Sequence, residues 1–286
     1  MIFKIVMCVL FFSCIDREKL VDKADLTGKD YRLFQSTPAW ELAKAVQDED
    51  EKKINEIIAK SPSLVNFQEP KYGNTLLKLT VMNQQLKSFK VLLENKADVN
   101  IHNTYDGISA LIEACSFKKY DTKFVELLLQ YGADVNDIEV GERREENTTR
   151  DTPLIAASRA DKLDLVELLI KHGANVNYQN EYKQSALSES VMQNNYEVVY
   201  FLLKSNADYN RPIFYREAQE RKMYLVDFLR EDFFELDTDE YSMKMEIVDF
   251  LKLKGIDYRA APIPEYIKKK AQKEYPNSWQ DYLAKY

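Results

Sequence analysis

One nine-residue phrase recurs four times along the chain and limits what the chain can fold into. It reads LLENKADVN at 92–100, LLQYGADVN at 128–136, LIKHGANVN at 169–177 and LLKSNADYN at 202–210. With Asn66 in PSLVN, the final asparagines are spaced by 34, 36, 41 and 33 residues. A period near 33 residues predicts stacked units that each pack on their neighbours, so the 286 residues need not form one or two globular cores.

A second sequence motif spans the start of a short predicted helix in each unit. It reads GNTLLKLTV (73–81), GISALIEAC (107–115), RDTPLIAAS (150–158) and KQSALSESV (183–191). Its Thr or Ser is the residue type that caps a helix N-terminus. The two phrases together resemble the ankyrin repeat family, whose pattern is G-x-T-P-L-H-x-A-A. The family histidine is replaced in all four units, by Lys78, Ile112, Ile155 and Ser188.

This resemblance implies an all-α ankyrin-repeat solenoid of about five to six helix-turn-helix units with hairpin fingers and a divergent helical C-terminal cap. We expect repeats at about 37–70, 71–104, 105–148, 149–181 and 182–210, a divergent unit at 211–258 and a helical cap at 259–286. Within the divergent unit we expect a lengthened helix over 213–230. The finger at 137–153 holds extra residues, including Glu142–Glu146, and is either a binding insertion or a tolerated loop.

The helices carry broad apolar stripes at helical spacing, which predict the core. The leucines expected there are Leu127, Leu128, Leu168 and Leu202. Gly132 and Gly173 lie where a helix must stop with a positive φ, and Lys96 at the same position should be strained or end its helix differently. His172 precedes such a glycine, so we expect it to pack and hydrogen-bond at the helix end and not to serve catalysis or metal binding.

The first residues resemble a bacterial lipoprotein signal. An apolar run from Ile5 to Phe12 is too short to span a bilayer but fits a signal-peptide core. Ser13 before Cys14 resembles a lipobox, which predicts a signal peptide over 1–13, an acylated Cys14 and a tether over 14–36. The expected location is then the bacterial cell envelope, on the outer membrane in preference to the inner. The alternative is a simple secretion signal or an uncleaved anchor.

Composition narrows the possible functions. The net charge of −7 argues against general nucleic-acid binding, which needs a basic face. With two histidines, three cysteines and no recognisable catalytic or metal motif, we predict no catalytic residue, no metal site and no cofactor. We expect a monomer that is not an enzyme.

Two sets of residues are candidates for partner binding. Tyr72, Tyr105 and Tyr182 lie near the predicted finger tips, and tyrosine is enriched where interfaces are strongest. The alternative is that these rings only pack on adjacent fingers. The repeat register also exposes inner-helix positions that suit an interface, unless they are half-buried against a neighbouring helix: Met82, Phe117, Arg159 and Met192.

We therefore predict a membrane-anchored module that recognises a partner protein through its concave face of fingers and inner helices. An inhibitor or immunity protein would be a narrower form of this function. The alternative is an enzyme or small-ligand protein with its site in 211–286. A spacer without a binding surface is a third hypothesis.

Overall fold

The computed structural model describes residues 17–141, 149–216 and 220–286. Within these ranges the chain forms helices α1 to α14, four short 3-10 helices and one antiparallel hairpin. The helices are Trp40–Gln47, Glu51–Lys60, Leu76–Met82, Leu86–Glu94, Ala110–Cys115, Thr122–Gln130, Pro153–Arg159, Leu163–Lys171, Ala186–Met192, Tyr196–Lys204, Leu225–Glu231, Asp239–Leu253, Glu265–Glu274 and Trp279–Lys285. The 3-10 helices are Lys23–Asp25, Tyr31–Phe34, Pro62–Asn66 and Tyr258–Ala260. The hairpin strands are β1 (Phe214–Arg216) and β2 (Arg221–Met223).

The helices stack in two layers. The first helices of successive pairs, α1, α3, α5, α7 and α9, pack side by side. In the second layer α2 packs on α4, α6 on α8, α8 on α10 and α10 on α12. One continuous apolar core runs between the layers. The predicted all-α solenoid is confirmed, and the stack continues past residue 210 through α12.

The helix boundaries follow from local chemistry. Thr75, Ser109, Thr152 and Ser185 each accept a hydrogen bond from the backbone N–H three residues later, so the predicted capping is confirmed. Gly132 and Gly173 end α6 and α8 with φ of +88° and +92°. Lys96 has φ of +64°, so its helix ends in the same left-handed way at a steric cost.

The predicted core needs correction. Leu128 and Leu202 are fully buried, but Leu127 and Leu168 are only half-buried. In α8 the buried side chains are those of Leu165, Val166 and Leu169. The apolar stripe is wider than the face that meets the neighbouring layer, and Leu168 lies at its margin.

The prediction that His172 packs at its helix end is wrong, because the residue is exposed. It is the C-cap of α8, and the bonds that it forms within the described residues are those of its backbone N–H, which donates to the carbonyl oxygens of Leu168 and Leu169 at 3.1 Å each.

The tether expected over 14–36 is also wrong for its second half. Leu26, Tyr31, Leu33 and Phe34 are buried in the main core. Gln35 is buried as well, and its Nε2 donates to the carbonyl oxygen of Arg17 at 2.7 Å. Tyr31, Leu33 and Phe34 lie in one short 3-10 helix and Leu26 directly follows another, which leaves no periodic pattern to detect. The predicted signal peptide and Cys14 lie outside the described residues.

The lengthened helix expected over 213–230 does not form. The β1–β2 hairpin occupies its first part, with Phe214 opposite Met223 and Tyr215 opposite Lys222, and only α11 is helical. The extra residues predicted in the finger at 137–153 include Glu142–Glu146, and these lie outside the described residues. No described helix is both long and apolar enough to cross a membrane.

Candidate functional site

The recurring asparagine joins each repeat to the next. We call the segments that link helix pairs fingers: 61–75, 95–109, 131–152 and 172–185. Asn136 Oδ1 accepts from Asn175 N at 2.7 Å, and its Nδ2 donates to Gly173 O at 3.2 Å. Asn100 and Asn177 make the same pair of bonds one repeat earlier and one later. These bonds fix the spacing of successive fingers.

A buried polar side chain closes the turn of each finger. It stands three residues after each asparagine, and the four are Glu69, Asn103, Glu139 and Asn180. In the fourth finger Asn180 Oδ1 accepts from the backbone N–H groups of Tyr182 and Gln184, both at 2.9 Å. The backbone that carries Tyr182 is therefore held by a side chain that is only 2% exposed.

An ion-pair network ties this turn to the helices. Asn180 Nδ2 donates to Asp151 Oδ1 at 2.7 Å. The Arg159 guanidinium lies 2.6 Å from Asp151 and 2.7 Å from Glu189, and both carboxylates are buried. Burial disfavours the charge of Arg159, but the two carboxylates more than offset this and raise its pKa. The contacts of Arg159 therefore fix α7, α9 and the finger relative to one another.

An open groove of about 910 Å³ lies between the fourth finger and the β1–β2 hairpin. Its apolar lining comes from Tyr182, Met192, Phe214 and Tyr215, which are 62%, 43%, 45% and 48% exposed. Exposed aromatic and methionine side chains grouped in one concavity are typical of binding surfaces. We call this feature the hairpin groove.

The charges that line the hairpin groove are all positive. They are Lys183, Arg211 and Lys222, and no carboxylate is among the described lining residues. Arg211 pairs with Asp208 at 2.9 Å, whereas the ammonium groups of Lys183 and Lys222 have no carboxylate partner in the part of the chain described. The described lining is therefore locally basic on a chain whose net charge is −7.

The structure does not bring all seven predicted site residues together. Tyr182 and Met192 meet in the hairpin groove. Tyr72 and Met82 are half-buried beside Gly28 at the other end of the stack, and Tyr105 packs edge-on against Tyr72 with ring centres 5.2 Å apart.

The other two lie between these places. Phe117 is 47% exposed and its ring contacts that of Tyr120 at 5.0 Å, while Arg159 is committed to its carboxylates. In the repeat register, the equivalent of Met82 and Met192 is Ser116 and not Phe117.

Sequence reasoning missed the hairpin side of the groove. Phe214, Tyr215 and Lys222 come from the segment that was expected to be helical. The apolar, aromatic run IFY directly after Pro212 is typical of a strand, and it was the signal available.

Another buried polar cluster lies in the C-terminal region and is closed. Lys244 is fully buried, its Nζ donates to Asp232 O at 3.0 Å, and it lies 3.7 Å from the centre of the Tyr286 ring. Burial lowers the pKa of Lys244 to about 7. Across the described residues, no group of three or more His, Cys, Asp or Glu side chains could hold a metal ion.

Comparison with known proteins identifies the repeats. The profile of the family described as ankyrin repeats (3 copies) matches residues 42–139 and 138–213, which is more than half of the chain. Ankyrin repeats generally serve as protein-interaction modules and not as enzymes.

A putative ankyrin repeat protein of fowlpox virus is 31% identical over 126 residues, which is 44% of this chain and 35% of that protein. The mouse B-cell lymphoma 3 protein homolog is 30% identical over 142 residues, 48% of this chain and 30% of its own. An ankyrin repeat and KH domain-containing protein of Caenorhabditis elegans is 26% identical over 202 residues, 61% of this chain and 7% of its own. The chain thus spans about a third or less of the length of these relatives. From the profile match across most of its helix pairs, the chain belongs to the ankyrin repeat family.

Proposed function

We propose that this chain is a non-enzymatic recognition module that binds a partner protein in the hairpin groove. The observation that carries the proposal is the exposure of Tyr182, Met192, Phe214 and Tyr215 in one concavity. Solvent-exposed aromatic rings on a rigid scaffold offer contact area at a small entropic cost. The Asn180–Asp151–Arg159–Glu189 network supplies the rigidity.

The position of the groove supports the same function. It lies against the fingers and the end of the first-layer helix α9, the face that forms the concave surface of a solenoid. The alternative, an enzyme with its site in 211–286, has less support. The polar groups of the cluster around Lys244 already form hydrogen bonds to the chain itself.

Co-purification with matched variants tests the proposal. A Tyr182→Ala/Tyr215→Ala variant should lose the partner that the wild type retains from cells that naturally make the protein. Tyr131 is 45% exposed at the end of second-layer helix α6, so Tyr131→Ala is the control and should retain the partner. Equal retention by all three proteins, at equal thermal stability, would reject the groove as the binding site.

We also propose that the module is attached to a bacterial envelope membrane through an acylated Cys14. The apolar run Ile5–Phe12 followed by Ser13-Cys14 supports this. Metabolic labelling with an alkynyl palmitate should mark the wild type and not Cys14→Ala, whereas equal labelling of both would contradict acylation at this residue. An inhibitory or immunity role against an exported enzyme or toxin is a narrower proposal, supported by analogy with other envelope ankyrin proteins.

A further inference from the structure

The chain carries an internal example of a segment held across one of its repeats, and this segment includes a hydrogen-bonded turn in which Asp30 N donates to Thr27 O at 3.1 Å. Residues 24–31 cross the face of the second repeat beside Tyr72 and Met82. Tyr72 Oη donates to Leu26 O at 2.8 Å, Asn74 Nδ2 to Gly28 O at 3.0 Å and Asn83 Nδ2 to Lys29 O at 2.9 Å. The repeat thus holds the backbone carbonyl groups of residues 26, 28 and 29 with side-chain donors.

The repeat that borders the hairpin groove carries a similar set of side chains in the same register. Tyr72, Asn74, Met82 and Asn83 stand three and one residues before, and seven and eight residues after, the helix cap Thr75. At the same distances from the helix cap Ser185 the chain has Tyr182, Gln184, Met192 and Gln193. A tyrosine, an amide, a methionine and a second amide therefore recur in both places.

The copy at the hairpin groove is uncovered. Tyr182 and Met192 are exposed, whereas Tyr72 and Met82 are half-buried. Gln184 Oε1 accepts a bond from Asn180, but the Nε2 donors of Gln184 and Gln193 have no acceptor among the residues that the structure describes. Gln184 is part of the groove lining, whereas Gln193 is exposed next to Met192 and lies outside that lining.

The positive charges of the groove indicate which kind of ligand it should bind. Lys183 and Lys222 have no carboxylate partner within the described chain, and Arg211 adds a third cation. Glu181, beside Tyr182, lies 3.6 Å from Arg150 and is not part of the lining. Acidic side chains on a ligand would complement this lining and steer its approach.

We infer that the hairpin groove binds an acidic segment of a partner protein. Gln184 in the lining and Gln193 beside it donate to backbone carbonyl groups of that segment, as Asn74 and Asn83 do to residues 28 and 29. An apolar side chain of the segment packs among Tyr182, Met192 and Tyr215, and its carboxylates face Lys183 and Lys222. This inference rests on the proposed function and adds the chemical class of the partner segment.

Selection from a displayed library of random twelve-residue peptides tests the inference on the full chain. We expect the selected peptides to be enriched in Asp and Glu around an aromatic or aliphatic residue. A synthetic peptide from that set should bind Lys183→Glu/Lys222→Glu at least about tenfold more weakly than wild type, with a weaker salt dependence. Gln193→Leu should also weaken binding, because it removes one donor without altering charge.

The matched control reverses two charges on the second layer of helices, away from the groove. Lys87 and Lys90 are exposed on α4, so Lys87→Glu/Lys90→Glu changes the net charge equally and should leave the peptide affinity unchanged. Circular dichroism and melting curves establish that each variant is folded. Equal weakening in the control would show a long-range charge effect and overturn the inference.

The remaining outcomes separate this inference from the proposed function. Neutral or basic selected peptides that still need Tyr182 and Tyr215 would overturn the inference and leave the protein-binding function standing. Preferred binding of a synthetic peptide of residues 24–32 would point to a second copy of this chain as the occupant and overturn it. Preferred binding of a twelve-nucleotide uridine RNA, lost in Lys183→Glu/Lys222→Glu, or no selected peptide at all, would overturn both.

Discussion

At the scale of single residues, the bonds of the recurring asparagine explain why the repeat motif ends in this residue. Each of Asn100, Asn136 and Asn177 accepts one bond from, and donates one bond to, the backbone of the next repeat. Asn210 stands at the same position in the phrase, but no side-chain bond to a following repeat is formed by it within the described chain. The residue type is therefore the same while its surroundings differ.

This difference gives the first prediction. Asn136→Ala should lower the free energy of unfolding by about 1–2 kcal/mol, because a typical hydrogen bond contributes ~1 kcal/mol. Asn210→Ala should change it by less than about 0.5 kcal/mol, as a surface substitution without a partner. Urea titrations of both variants measure the difference, and equal losses would contradict the proposed role of the side-chain bonds.

The correction to the core gives the second prediction. Leu169 is fully buried between the layers, so Leu169→Ala should cost about 2–5 kcal/mol. Leu168→Ala should cost clearly less, since its side chain is only half-buried and leaves no closed cavity. The two variants have the same composition, so their melting curves compare burial alone. A larger loss for Leu168→Ala would reverse the assignment of the buried face.

Sequence reasoning at this scale succeeded where one residue acts locally and failed where it acts through distant partners. The capping by Thr75 and Ser185 could be predicted because it involves backbone three residues away. The commitment of Arg159 to Asp151 and Glu189 could not, since Glu189 belongs to the next repeat, 30 positions later. Lys78, at the family histidine position, is likewise buried and donates to Ile108 O at 3.2 Å across a finger.

At the scale of elements, the hairpin shows why the segment after Asn210 differs from the four fingers. In the earlier fingers a polar side chain three residues after the asparagine closes the turn. The corresponding residue after Asn210 is the buried Ile213, whose backbone N–H instead bonds to Met223 O at 2.8 Å. Because this segment has no side-chain acceptor to close a turn, it extends into β1 and β2. That substitution is visible in the sequence, but its meaning depends on the role of Asn180, which only the structure reveals.

The C-terminal elements give a third prediction, for pH. Lys244 of α12 is buried against Tyr258 and Tyr286, near Asp232 and Arg230, and its pKa is lowered to about 7 against 10.5 in the unfolded chain. Between these values the unfolded chain holds a proton that the folded chain has released. Stability should therefore rise with pH above 7, with a limiting contribution of ~1.4 kcal/mol per pH unit from this one group.

Comparison with Lys244→Met isolates that contribution. Burial also lowers the pKa of Lys78 and raises that of Cys115 to about 12, but both groups are common to the two proteins and cancel in the difference. Between pH 7 and 8.5 the unfolding free energy of the wild type should rise relative to that of Lys244→Met. Parallel pH profiles would show that Lys244 keeps an ordinary pKa in the folded protein.

At the scale of the whole molecule, the sequence predicts the stack of helix pairs. It does not predict which parts of the surface of the stack are covered by other segments and which are exposed. The solenoid follows from a local period, because each unit packs only on its neighbours. The covering of Tyr72 and Met82 by residues 24–31 required tertiary packing of a segment without a period. The hairpin groove at the other end likewise combines a predicted half, Tyr182 and Met192, with an unpredicted half, Phe214 and Tyr215.

The central claim is that the hairpin groove is where a partner protein binds. The most direct measurement places a photo-crosslinking benzoylphenylalanine at position 215 or position 131 and irradiates cells that naturally make the protein. The residues replaced, Tyr215 and Tyr131, are 48% and 45% exposed, so the two probes are matched in access to solvent. We predict a discrete protein adduct from position 215 that is absent from position 131, and adducts of equal yield from both positions, or none from either, would contradict the claim.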